Sequence, residues 1–235
     1  MEKESVQRIW QSEDFLLENM HYYEKTRQFS SVMGQPVGSR ITPELLKLRT
    51  ALIIEEVKEF MAEYEKEQSL TAEEMPASLI MNYIKELGDI VYVVAGFAET
   101  FGIKTFYQTN VRNQHIFDIS PDTAAEMLVS FSKSFQAFEE KCFDLLSDEA
   151  VQDEKENMSG VLKDLMVFCH ILARSHGINL KAAFNEIHDS NMSKLGKDGK
   201  PIYRHDGKVM KGPNYHKPDL SAFVMWTHSW GGKNA

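Results

Sequence analysis

Apolar residues recur at intervals of three and four over most of the first 195 positions, the period of helices with one buried face. No alternating run long enough for a strand precedes Leu195. The pattern predicts a first helical region over about 5–33, broken near Ser12 and stopped by Gly34-Gln35-Pro36. Thr42-Pro43-Glu44 combines a capping hydroxyl with a proline at the first helical position. It opens a long helix to about Gln68, with Leu45, Leu46, Leu52, Ile53, Val57 and Phe60 on its apolar side. After a loop around Met75-Pro76, a further helix covers about 78–101 and ends at Gly102. A short helix to about His115 and helices over about 121–146, 158–176 and 180–195 complete an all-α bundle.

From Gly196 the character changes. Asp198-Gly199 and Asp206-Gly207 are tight-turn dipeptides flanking Ile202-Tyr203-Arg204, which predicts a small hairpin or an ordered loop. The last stretch, with Trp226 and Trp230, either folds back on the body or hangs loose, and the pattern does not choose.

A faint internal repeat divides the helical part. Glu86-Leu87-Gly88-Asp89, with Gly102-Ile103 thirteen residues on, has a counterpart in Val161-Leu162-Lys163-Asp164 with Gly177-Ile178. Phe106 and Asn113 correspond to Phe184 and Asn191. In this register Glu55, Glu56, Glu59 and Glu86 become Ser130, Phe131, Ser134 and Val161. The expectation is one domain over 1–235 built as a fused pseudo-dimer. A first half over 42–116 keeps an acidic site, a second over 121–195 has lost it, and 196–235 forms a basic loop and tail.

Composition narrows the classes. With 43% hydrophobic and 26% charged residues, the 235-residue chain can build a sizeable core. No run approaches the ~20 apolar residues that span a bilayer, and the N-terminus lacks a signal-peptide apolar region. Cys142 and Cys169 stand apart with no ligand spacing, which reads as thiols of a reducing cytoplasm. The expectation is a cytoplasmic protein without a membrane partner. The net charge of −9 conceals a basic segment: Lys194, Lys197, Lys200, Arg204, Lys208, Lys211 and Lys217 against Asp198 and Asp206. An acidic body repels duplex nucleic acid, whereas a basic arm beside it suits a small anion bridged by metal. A solvated charged tail is the plainer reading of the same segment.

Glu56 and Glu59 are three apart on one predicted helix, and Glu86 and Asp89 three apart on the next, so each pair shares a face. Antiparallel packing of the two helices brings four carboxylates together. Two such charges ~5 Å apart repel by roughly 3 kcal/mol at an effective dielectric near 20, so protons or cations must neutralise them. Acidic residues at the mouth of the apolar run Ile90-Val91-Tyr92-Val93-Val94 also depart from an ordinary solvated face. Hard oxygen ligands select Mg²⁺, or Mn²⁺, over zinc. No histidine follows Glu56 or Glu86 at the spacing a di-iron bundle uses. His170 and His176 read as core or cap residues.

The segment from Leu48-Arg49 through Glu55-Glu56-Val57-Lys58-Glu59-Phe60, followed by Glu86-Leu87-Gly88-Asp89-Ile90-Val91, resembles the ExxE…ExxD signature of the all-α NTP pyrophosphohydrolases. That superfamily includes MazG-like enzymes, phosphoribosyl-ATP pyrophosphohydrolases and dimeric dUTPases. Met33-Gly34-Gln35-Pro36-Val37 is similar to the end of their N-terminal helix, and 188–201 with 206–214 to the C-terminal segment of a subgroup. The resemblance implies a helical bundle of the MazG-like type and Mg²⁺-dependent hydrolysis of a nucleoside triphosphate to monophosphate and pyrophosphate. It implies Glu56, Glu59, Glu86 and Asp89 as metal ligands and Glu55 as the base that orients or deprotonates water. Asn191 and Lys194 match a substrate-contacting Asn-x-x-Lys element, while Lys200, Arg204, Lys208, Lys211 and Tyr215 either close over the triphosphate or form a solvated loop. Arg49 either pairs with the acidic cluster or touches substrate. Related enzymes are dimers of single-repeat chains, so this chain is expected as a monomeric pseudo-dimer or a homodimer. A non-catalytic nucleotide- or metal-binding module descended from such enzymes is the competing reading.

Overall fold

The computed structural model describes residues 13–71, 74–103, 119–144 and 148–224. Among these the chain forms six helices: α1 (Glu13–Val32), α2 (Pro43–Gln68), α3 (Ala77–Phe101), α4 (Pro121–Asp144), α5 (Asp148–Ser175) and α6 (Leu180–Met192). The all-α expectation holds. The short helix expected to about 115, the region before 13 and the stretch with Trp226 and Trp230 lie outside the described residues.

Local chemistry sets the helix ends. The Thr42 hydroxyl accepts a hydrogen bond from the Leu45 N–H at 3.3 Å, and Pro43 fills the position whose N–H has no helical partner. α3 stops at Gly102, which takes a left-handed φ of 65°, letting the Ile103 N–H reach back to the Ala98 carbonyl at 2.9 Å. Asn179 caps α6 through the Ala182 N–H at 3.0 Å. One boundary differs clearly from expectation. α5 begins at Asp148, ten residues before the predicted start, because its first turns are rich in good helix formers but carry no apolar stripe to register. Lys141 of α4 pairs with Glu154 there at 3.3 Å.

α2 buries Leu46, Ile53, Val57, Phe60 and Tyr64 along one face, whereas α3 is apolar nearly all round and occupies the centre. α3 packs on α1, α2, α5 and α6; α2 also packs on α4, and α4 on α5. Two helical hairpins, α2–α3 and α4–α5, thus lie with corresponding helices in contact. Phe97 joins them, its ring 5.0 Å from Phe101 and 5.1 Å from Phe135. Across α2 and α3 the Phe60 and Tyr83 rings meet at 5.0 Å and Asn82 Nδ2 donates to Glu63 Oε2 at 3.4 Å. That antiparallel register sets Glu56 opposite Asp89 and Glu59 opposite Glu86.

Beyond α6 the chain makes two tight turns, each closed by one isolated antiparallel bridge: Leu195 with Pro201, and Tyr203 with Val209. Gly199 and Gly207 supply the positive φ, 73° and 93°, that the turns require. The segment is pinned to the body at several points. Tyr203 donates its hydroxyl to the Met33 carbonyl at the end of α1, and Ser190 Oγ donates to the His216 carbonyl at 2.7 Å. Leu220 and Val224 are buried in the core. No helix among the described residues is long and apolar enough to cross a membrane.

Gly212 fixes how closely this strap lies on the end of α6. A Cβ there would stand 2.2 Å from the Leu195 carbonyl oxygen and 2.6 Å from its carbon, both backbone atoms that cannot rotate away. Gly212→Ala is expected to destabilise the protein by about 1–3 kcal/mol, the usual cost of overpacking, seen as a lowered midpoint in thermal denaturation.

Candidate active site

Three of the four predicted ligands converge. Carboxylate oxygens of Glu56 on α2 and of Glu86 and Asp89 on α3 all lie within 4.8 Å of one another. Glu59 stands outside this trio, exposed, and lines the outer part of the same cleft. The register of α2 on α3 makes the trio; the i, i+3 spacing on α3 puts Glu86 and Asp89 on the face turned toward α2.

The cluster is costly to ionise. Burial, then the neighbouring Asp89 and Glu59, push the Glu56 carboxyl up to about 8. Burial pushes Glu86 up to about 7, partly opposed by the hydrogen bond from Lys85. Lys85, not singled out from the sequence, carries the internal counter-charge. Its ammonium donates to Glu86 Oε1 and Oε2 at 2.8 and 2.9 Å and to Asp89 Oδ2 at 2.8 Å. Burial opposes the lysine's charge, but the two carboxylates outweigh it and hold its pKa above the ordinary value. The signal was present: Lys85 lies four residues before Asp89 on one helix face.

The opposite wall is basic. Lys194, beyond the end of α6, lines the cleft with Asn191, Lys208, Lys211, Arg204 and Tyr215. The cleft encloses about 300 Å³. Lys194 is desolvated: burial lowers its pKa although Asp89 and Glu56 pull the other way. Asn191 is buried on the last turn of α6. The Lys211 ammonium sits 4.7 Å over the Tyr215 ring, and Arg204 is engaged with Asp206 at 2.6 Å. Lys200 does not join the lining and stays exposed on the first turn, its N–H bonded to Asp198 at 3.1 Å. Glu55 also lies off the lining, 39% exposed, with its Oε2 2.8 Å from Lys208 Nζ.

Gly88 allows the two walls to approach. A Cβ there would fall 2.1 Å from Ile187 Cδ1 of α6, so the glycine inside the acidic motif is where α3 and α6 touch. Arg49 does not pair with the carboxylates; its Nη2 donates to Gln35 Oε1 at 3.0 Å. His170 is a core residue 3.2 Å from Tyr22 Oη, and His176 pairs with Glu67 at 3.2 Å.

These shifts imply a pH dependence of stability. Glu56 and Glu86 titrate above their ordinary value of 4.5, so their contribution is complete below pH 4.5 and is lost as pH rises through about 7 to 8. His170 and His188, depressed to about 3 and about 4 chiefly by burial, contribute fully above pH 6.5 and lose that contribution as pH falls toward 4 and 3. Without divalent cations the protein is expected to be most stable between these limits, near pH 5–6.5. Thermal midpoints should fall on either side, and added Mg²⁺ should raise the midpoint at pH 8 far more than at pH 5.

Glu56 and Asp89 of the acidic trio thus share one cleft with the half-buried Lys194. Residues 26–111 match the family described as phosphoribosyl-ATP pyrophosphohydrolase. The resemblance to the all-α NTP pyrophosphohydrolases therefore holds over the last part of α1, α2 and α3, and it supports a pyrophosphohydrolase-type function in general terms. An uncharacterized protein of Acanthamoeba polyphaga mimivirus is 25% identical over 201 residues, covering 74% of this chain and 70% of that protein. No solved structure matches the chain.

Proposed function

We propose that the protein is a Mg²⁺-dependent nucleoside triphosphate pyrophosphohydrolase, releasing a nucleoside monophosphate and pyrophosphate. The observation that carries this reading is the meeting of Glu56 and Asp89 with Lys194 in one cleft, with the buried Glu86 completing the carboxylate trio beside them. The donor set fits a hard divalent ion. It is all carboxylate oxygen, held within 4.8 Å, and burial, with the neighbouring carboxylates, raises the pKa of Glu56 and Glu86 well above their ordinary value. Glu56, Glu86 and Asp89 would hold the ion, with Glu59 at the outer edge. Bound there, Mg²⁺ would supply Lewis-acid polarisation and an activated water.

The chain's own groups divide the remaining work. Lys194 neutralises phosphate where water is scarce, and Asn191 orients the nucleotide through its amide. Lys211 and Arg204 stand at the rim of the cleft, and Lys200 acts only if the first turn swings inward. Lys208 holds Glu55 beside the cleft; a triphosphate drawing Lys208 onto its oxygens would release Glu55 to act as base. Metal ligands from the first half and Asn191 and Lys194 from the second make one composite site per chain. The pairing of hairpin α2–α3 with α4–α5 supports the pseudo-dimer reading, with a monomer as the expected species in sedimentation.

Lys85 favours a second reading. By neutralising Glu86 and Asp89 internally, it lets the cluster exist without metal, as a non-catalytic nucleotide-binding module would need. One assay separates the two. A panel of triphosphates incubated with Mg²⁺, and in parallel with a chelator, is followed for pyrophosphate. Mg²⁺-dependent release from at least one substrate supports the enzyme; binding of nucleotides without any release supports the module.

A further inference from the structure

Beside the cleft lies a second chamber of about 90 Å³ that shares Glu56, Asp89, Asn191, Lys194, Lys208 and Val209 with the outer cleft. Its walls are unlike those of the outer cleft. Phe29 and Tyr92 meet edge to face, with rings at 90° and centroids 5.4 Å apart, and form one apolar wall, while Gly96 leaves another side open. Tyr92 is held in place from behind: His188 Nδ1 lies 3.0 Å from its hydroxyl, and His188 Nε2 lies 3.2 Å from Gln28 Oε1. With Gln28 accepting from Nε2–H, Nδ1 accepts the Tyr92 proton, which leaves the phenol oxygen as an acceptor.

Arg49 is the unusual wall. It is a charged side chain only 8% exposed, and among the described residues no carboxylate is its partner. One guanidinium nitrogen donates to Gln35, and Nε is buried with no hydrogen-bond partner. A Cβ at Gly96 would come 3.9 Å from Nη1, so the missing side chain keeps this edge of the guanidinium uncovered. A buried cation with N–H groups to spare calls for an acceptor-rich ligand.

We propose that this second chamber is the base subsite and that it takes a single-ring, keto-bearing base, with Arg49 donating to a ring carbonyl oxygen and Phe29 and Tyr92 bounding the ring. The inference rests on the triphosphate reading of the outer cleft, which places phosphates on Lys194 and leaves the base to enter the chamber beside it. A chamber of about 90 Å³ fits a single ring more closely than the fused rings of a purine. With Arg49 at the C4 position of the ring, the carbonyl of uracil is favoured over the amino group of cytosine, which would turn N–H toward a cation. The Arg49–Gln35 contact fixes the guanidinium plane, making Gln35 a positioning residue.

The test measures binding separately from turnover. Dissociation constants are determined by calorimetry in Mg²⁺ for the α,β-imido analogues of uridine, cytidine and adenosine triphosphate. The uridine analogue is expected to bind about tenfold or more tightly than either other. Arg49→Met should erase that preference, so that the three analogues bind alike. Gln35→Ala, a milder change at a half-buried position, should reduce the preference even if Arg49→Met fails to fold. Equal affinities for the three analogues, or tighter binding of the adenosine analogue, would overturn the base assignment and leave the hydrolase reading intact. A uridine preference without hydrolysis of any triphosphate would do the reverse.

Discussion

Asp89→Asn is expected to lower kcat/KM for triphosphate hydrolysis at least about a hundred-fold, a loss of roughly 3 kcal/mol of transition-state stabilisation. The expectation follows from the trio: Asp89 is one of three carboxylates within 4.8 Å, and an amide oxygen at that position carries no charge for a divalent cation. Folding should respond in the opposite sense. Asp89 is the second cause, after burial, of the raised Glu56 pKa, so removing its charge relieves repulsion that the metal-free protein bears. Lys85 keeps Glu86 as a partner. The variant should therefore hold its thermal midpoint without divalent cations, or gain a little, while losing most of the rise that Mg²⁺ gives the wild type. Steady-state kinetics and thermal denaturation with and without Mg²⁺ check both halves. A variant that unfolds would assign Asp89 to structure, and one with full activity would remove it from the metal site.

Lys194→Met should raise KM about ten- to a hundred-fold, the range expected when a charge-assisted contact worth about 1.5–3 kcal/mol is lost. The lysine is desolvated near Glu56 and Asp89, and among the described residues no carboxylate lies within ion-pair distance of it. Its depressed pKa says that burial works against the charge, so a methionine of similar volume should leave stability unchanged or improved. A merely structural lysine would show the reverse: an unchanged KM and a lower thermal midpoint. Initial-rate measurements over a range of triphosphate concentrations, beside a melting curve, distinguish the two.

The readable parts of this protein share a short range. Glu56 and Glu59, and Glu86 and Asp89, declare themselves because helical spacing converts sequence intervals into a common face. Thr42-Pro43 and Gly102 mark helix ends because capping is local chemistry. Asn191 and Lys194 were named from resemblance, and the fold brings both to the cleft. What stayed hidden depends on register and on side-chain reach. Nothing at Gln28, Tyr92 and His188 marks them as one chain of contacts, since 160 residues separate Gln28 from His188. Of the two readings of Arg49, pairing with the acidic cluster or touching substrate, the first fails because its long side chain turns to Gln35. The start of α5 was missed because a polar first half carries no apolar period to read. Lys200 was grouped with the other cations by charge alone, and a tight turn holds it outside the cleft.

The central claim is that the Glu56–Glu86–Asp89 cluster and Lys194 serve one reaction, the splitting of a triphosphate into monophosphate and pyrophosphate. Phosphorus NMR of a reaction containing the protein, Mg²⁺ and a uridine nucleoside triphosphate reads the products directly. The account predicts growth of the monophosphate and pyrophosphate resonances in equal amounts, and none when a chelator replaces Mg²⁺. A diphosphate with orthophosphate, or equal turnover in the chelator, would contradict it.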